Sequence, residues 1–188
     1  MKTLLATAGA FALLTTAMTN AADMKPTADA VSPLLAPWVG PYGGVPPFDQ
    51  VKVGDLKPGL ETGMAQQLAE IDRIANDPAA PTFENTIAAM ERSGRTLDRV
   101  ATVYGVYSST LNDEAVQAVE REMAPKLAAF SDQITQNPQL FERIARVYET
   151  RETSGLTPEQ QRLTWVYYTN FVRAGARLDA AGKKRTAE

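Results

Sequence analysis

With 188 residues, 44% hydrophobic and 22% charged, the chain has the composition of one ordinary globular domain that can bury a core of its own; it is neither disordered nor fibrous. A formal charge of -3 leaves no excess of Lys and Arg to neutralise phosphates, which argues against a nucleic-acid partner bound by general electrostatics. There is no His and no Cys, so the imidazole and thiolate ligands of protein zinc sites are missing, as are the usual general base and the thiol nucleophile.

The chain opens with a short positive start at Met1 and Lys2, an apolar run from Leu4 to Leu14, and small residues around Thr19-Asn20-Ala21-Ala22 suited to cleavage. That pattern predicts a secretory signal peptide over residues 1–21 and a mature product that is periplasmic or secreted. The apolar run is too short for a transmembrane helix and has no stop-transfer flank, so no stable membrane anchor is expected.

Residues 22–54 are rich in Pro, Ala and Gly. Pro37, Pro41, Pro46 and Pro47 force extended or turn geometry, and Gly40, Gly43 and Gly44 permit positive φ. A plain linker seldom carries Trp38, Tyr42 and Phe48, so the segment is expected to be an extended strap lying across the body.

The helical domain is expected over 55–188. Asp55 is placed to cap its first helix, with Pro58 in the first turn and a stripe of Leu56, Leu60, Met64, Leu68, Ile71 and Ile74 ending at Asn76-Asp77-Pro78. Gly59 and Gly63 weaken that helix by up to about 1 kcal/mol each relative to Ala, so packing has to hold it. Thr82 then caps a run that reads as one long helix to Leu111, the element around which the rest is expected to be organised. Its seam, in steps of four and three, is Phe83, Ile87, Met90, Gly94, Leu97, Ala101, Tyr104, Ser108 and Leu111, with the small members placed to let a neighbouring backbone approach.

Asn112-Asp113 caps the next helix, which carries Val116, Val119, Met123, Leu127, Phe130 and Ile134 and a kinking Pro125. Asn137 and Pro138 start a shorter one that closes at Ser154-Gly155. Thr157-Pro158-Glu159-Gln160 is a capping box for the last helix, whose spacing Leu163, Tyr167, Phe171, Ala174, Leu178 outweighs the β-branched and aromatic content of its start. That start is apolar nearly all round and is expected to be buried on several sides. From Arg173 to Glu188 the chain is basic and shows no stop signal, which predicts a helix that continues and a domain truncated at its carboxyl end. The fold class is therefore all-α: about five helices in an antiparallel array after an extended strap, with no sheet.

Several of these stretches also carry a resemblance. Pro81-Thr82-Phe83-Glu84-Asn85-Thr86-Ile87-Ala88-Ala89-Met90-Glu91 and Val103-Tyr104-Gly105-Val106-Tyr107-Ser108-Ser109 resemble the amino-terminal helical region of the zinc oligopeptidase family, the group of thimet oligopeptidase, oligopeptidase A and peptidyl-dipeptidase. So do Pro33 to Trp38 with Gly43 to Asp49, Glu120 to Leu127, and Leu156 to Leu163; the run from Trp38 to Gly44 resembles the peptidyl-dipeptidase branch. The resemblance implies a zinc metallopeptidase, a hydrolase that releases dipeptides from the carboxyl terminus of short peptides, and the signal-like start adds export. The resemblance also implies helices that form one wall of a substrate channel. In that family the chain continues past Lys183-Lys184-Arg185 into a long further run, and Thr186 replaces an apolar residue.

A zinc peptidase needs the His-Glu-x-x-His pattern and a third ligand, and none of this can be assembled without His. No catalytic and no metal-ligand residue is assigned to any position, no cofactor is expected in this chain, and zinc belongs to the full-length family enzyme. The implied partners are short peptide substrates and the missing catalytic domain. Substrate-binding residues stay unassigned, although Tyr104, Tyr107, Trp165 and Tyr168 are candidate wall residues beside the plainer reading of core filling. The pairs Glu120 with Glu122 and Glu149 with Glu152 could mimic a glycosidase dyad, but each sits among Arg neighbours on an expected exposed helical face. The alternative function is a self-sufficient periplasmic helical module that binds a peptide or protein.

Overall fold

A helix of 23 residues, α1 (Val53–Ala75), is the spine of the molecule: Leu56, Leu60 and Met64 enter one hydrophobic core, while Ile71 and Ala75 enter a second. The computed structural model describes residues 32–179 and Gly182. The predicted signal peptide, the strap from 22 to 31 and the tail 183–188 lie outside the described residues. In order the helices are α1, a short α2 (Ala88–Arg92), α3 (Arg95–Thr110), α4 (Glu114–Thr135), α5 (Pro138–Thr150) and α6 (Pro158–Arg173). Among the described residues there is no strand, only a single bridge between Val39 and Val45, and the all-α expectation holds.

Ahead of α1, Leu34 and Val51 are buried in the first core. Between them the chain turns outward through a 3-10 turn at Pro41–Gly43. Of the three aromatics expected to hold this segment to the body, only Trp38 packs against the core; Tyr42 is fully exposed and Phe48 is 43% exposed. Helix α1 also starts earlier than its sequence suggests. Asp55 is its third residue and accepts from the Lys52 amide at 2.8 Å, so Pro58 falls inside the helix and not in its first turn.

The run from Thr82 to Leu111 is two helices. Its start is as read: the Thr82 hydroxyl accepts from the Asn85 amide at 3.2 Å while the Asn85 side chain accepts from the Thr82 amide at 2.7 Å, opening a π turn over Phe83–Ile87. The chain then breaks at Ser93 and Gly94, the latter at φ +76°. The break sits against α1. A Cβ at 94 would meet the Gln67 side chain at 2.5 Å, and the Glu70 carboxylate accepts from the Gly94 amide at 2.7 Å. The break resets the phase, so α3 buries Leu97, Val100, Val103 and Tyr107, while the expected seam members Ala101 and Leu111 are exposed.

Close backbone approach is made by the glycines of α1; of the expected seam's small residues Gly94 meets the Gln67 side chain, while Ala101 is exposed. Gly59 faces Val100 and Gly63 faces the backbone of Leu97, and with Gln67 against Gly94 this register runs α1 and α3 antiparallel. The ion pairs Lys57 with Glu122 and Glu61 with Lys126 set α4 parallel to α1, hence antiparallel to α3, its neighbour in sequence. Helix α4 is capped by Asp113 and continues through Pro125, burying only Val116 and Met123.

The second core gathers Ile71, Ala75, Ile87, Met90, Leu140, Ile144, Val147, Phe171 and Ala176. Asn137 caps α5, and Thr157 with Gln160 forms the expected box on α6. Buried Arg143 on α5 holds the 77–79 turn, donating to the carbonyls of Asp77 at 2.7 Å and Ala79 at 3.0 Å. At its other end α6 stops at Arg173, whereas the spacing had it continue through Leu178. Gly175, at φ +89°, donates to Val172 and Ala176 donates to Phe171, a Schellman ending that leaves Leu178 45% exposed. The apolar start of α6 has no exposed residue from 163 to 169, but only Thr164 there is fully buried; the rest are half-buried, with Leu163, Tyr167 and Tyr168 against the second core.

Candidate functional site

The four candidate wall residues do not line one surface. Tyr104 and Tyr107 lie on α3 with the first core, Tyr168 packs against the second, and Trp165 belongs to neither. Tyr107 is a core residue: it is 8% exposed and its hydroxyl donates to the Val51 carbonyl at 2.9 Å, fastening the entry of α1 to α3. Half-buried Tyr104 has its phenol pushed above the ordinary range by burial and then by the Glu120 carboxylate.

Tyr168 is the centre of an aromatic stack joining α5 and α6. The Tyr148 ring lies 4.0 Å from it and nearly parallel, Phe141 is 5.8 Å away on the same ring, and Phe171 follows Phe141 at 6.4 Å. The Arg151 guanidinium covers Tyr148 at 4.0 Å, while Arg162 covers Trp165 at 4.1 Å. Beside the stack the Tyr167 hydroxyl donates to Glu91 on α2; burial first, then that bond and the carboxylate charge, raise the Tyr167 phenol far above its usual range. Tyr148 and Phe141, legible as part of the apolar stripe of α5, were not among the candidate wall residues. Their seven-residue separation on one helix face was the available signal.

The acid pairs hold no catalytic geometry. Glu122 pairs with Lys57, which pulls its carboxyl down; Glu149 pairs with Arg146 at 3.3 Å; and Glu152 pairs with Arg151 at 2.7 Å. An open cleft of about 460 Å³ between α1 and the 84–93 segment is lined by Glu70, Arg73, Asp77, Glu84 and Arg92 around Ile74 and Ala89. Its charges are partly spent on structure, since Arg92 pairs with Glu84 at 2.8 Å and Glu70 holds Gly94. Among the described residues no three His, Cys, Asp or Glu side chains are grouped to hold a metal ion, and none of these helices is long and apolar enough to cross a membrane.

No family model matches the chain. Over 156 residues it is 36% identical to the dipeptidyl carboxypeptidase of Salmonella typhimurium, and over 155 residues 36% identical to that of Escherichia coli. These matches take in 83% and 82% of this chain, which spans only 23% of the length of either relative. It is also 22% identical over 137 residues to the organellar oligopeptidase A of Arabidopsis thaliana, covering 71% of this chain and 17% of that protein. The chain belongs to the zinc oligopeptidase family, the group of peptidyl-dipeptidase and oligopeptidase A.

Proposed function

We propose that the chain is the amino-terminal helical domain of an exported zinc metallopeptidase of peptidyl-dipeptidase type, which releases dipeptides from the carboxyl end of short peptides, and that these 188 residues alone are inactive. The observation that carries this reading is the match of most of the chain to less than a quarter of two dipeptidyl carboxypeptidases, in a sequence without His or Cys. The residues present do not fit zinc, so the metal and the groups that activate water belong to the remaining part of the enzyme. This region contributes shape, with its helices walling a channel for unfolded peptides, and export follows from the signal-like start.

The test has two arms. Purified chain with added zinc and a blocked tripeptide, followed by mass spectrometry, is expected to release no dipeptide; zinc-dependent release would overturn the claim of inactivity. Reading the gene beyond the Glu188 codon in three frames is expected to reach His-Glu-x-x-His, and a true stop followed by unrelated sequence refutes the peptidase reading.

A further inference from the structure

Helix α6 buries Thr164 and Phe171 on one side; on the opposite side Arg162 and Arg173 are exposed, while Trp165, Val166 and Thr169 between them are half-buried. Arg162, Val166, Thr169 and Arg173 follow at steps of four, three and four, a spacing that puts all four on one helical face, with Trp165 at its edge. Neither Trp165 nor Val166 packs into a hydrophobic core. Arg162 and Arg173 are exposed and pair with no carboxylate among the described residues; Arg162 instead covers the Trp165 ring at 4.1 Å. A guanidinium stacked in this way keeps its N–H edge for a carboxylate. The one acid of α6, Glu159, turns back at the helix start to its own amide and the Thr157 hydroxyl. On a chain of net charge -3, this is a local cationic and apolar stripe.

Arg162 and Arg173 are separated by about 16 Å along the helix, from a rise of about 1.5 Å per residue. An extended peptide covers that distance in about five residues at about 3.3 Å each. We propose that the outer face of α6 binds a short extended peptide whose two carboxylates, about five residues apart, reach Arg162 and Arg173 while the apolar residues between them lie on Trp165 and Val166. This goes beyond the peptidase reading, because it concerns binding by this chain alone and needs no catalytic part.

The probe is acetyl-Glu-Leu-Ala-Phe-Leu-Glu-amide, titrated calorimetrically into the full chain, with the peptide carrying Lys at both Glu positions as control. Saturable one-to-one binding is expected, about tenfold weaker when salt rises from about 50 to about 500 mM and about tenfold weaker in the double variant Arg162→Gln, Arg173→Gln. Both positions are exposed, so circular dichroism is expected to show an unchanged fold. Absence of binding at about millimolar peptide, equal binding of the Lys peptide, or an unchanged Kd in the double variant overturns the proposal. So does a dimer that the same two substitutions dissolve, which assigns the face to a second copy of the chain.

Discussion

Replacing Gly63 by Ala probes the contact between α1 and α3. A Cβ at this position stands 2.9 Å from the Cα of Leu97 and 3.2 Å from its Cβ and Cδ1. The first of these is a backbone atom and cannot rotate away, so α1 and α3 have to part. Overpacking of this kind costs about 1–3 kcal/mol, while Ala in place of Gly inside a helix gains about 0.8–1 kcal/mol. The steric term wins, and Gly63→Ala is expected to lose about 1 kcal/mol net. Gly105 on α3 provides the internal control, since a Cβ there meets nothing within 4 Å and the backbone is already helical. Gly105→Ala keeps the propensity gain without the clash, so the two variants are expected to differ by about 2 kcal/mol, or about 4–8 °C in Tm for a domain of this size. Urea unfolding followed by circular dichroism measures both, with equal m values confirming that the unfolded reference is shared. If Gly63→Ala proves as stable as Gly105→Ala, α1 and α3 are not in backbone contact, and the assignment of α1 as spine fails with it.

Three further outcomes follow from particular contacts. Glu70→Ala removes the acceptor of the Gly94 amide at the start of α3 and is expected to cost about 1 kcal/mol, with faster hydrogen exchange at Gly94 as the local reading. Tyr107→Phe leaves the Val51 carbonyl without its donor in the first core; a loss of about 1 kcal/mol in urea is expected, and no loss refutes the role given to that hydroxyl. Tyr167 holds its proton above the usual phenol range when folded. The stability this supplies is therefore complete below the unfolded tyrosine pKa of about 10 and is lost as pH rises beyond it. Alkaline difference spectra of the wild type are expected to show a late-ionising tyrosine that is absent from Tyr167→Phe.

Four starts were legible because their causes are local, whereas those of α1 and α3 were not. Thr82, Asp113, Asn137 and Thr157 each accept from an amide three residues on, and that bond depends on nothing outside the turn. The break at Gly94 was not read, because the contacts made there, with Gln67 and Glu70, lie on another helix and the four-and-three spacing runs through it undisturbed. The same long-range contact explains why Gly59 and Gly63 read as weak points of α1 when they are its closest contacts. By contrast, the end of α6 was readable: Gly175 is a local stop, hidden by the apparent continuation of the stripe to Leu178. Of the candidate site, aromatic identity was visible but exposure was not. Tyr107 and Trp165 are both large and amphipathic, and only packing separates the core residue from the one outside both cores.

That separation bears on how the α6 face can be tested. Helix α1 carries both cores, but the strap, α3 and α4 pack with its first half, whereas α2, α5 and α6 pack with its second. Gly94 divides the run that links them, and Glu70 bridges the division. The outer face of α6 therefore rests on Phe171, Ile144, Val147 and the Tyr168 stack, and not on the strap or the contact at Gly63. A substitution that loosens the first core, such as Gly63→Ala, leaves the geometry of Arg162 and Arg173 in place, because both are mounted on one helix that packs with the second core. Loss of peptide binding in the Arg double variant together with its retention in Gly63→Ala thus isolates charge on α6 from general stability, a distinction that neither variant makes by itself.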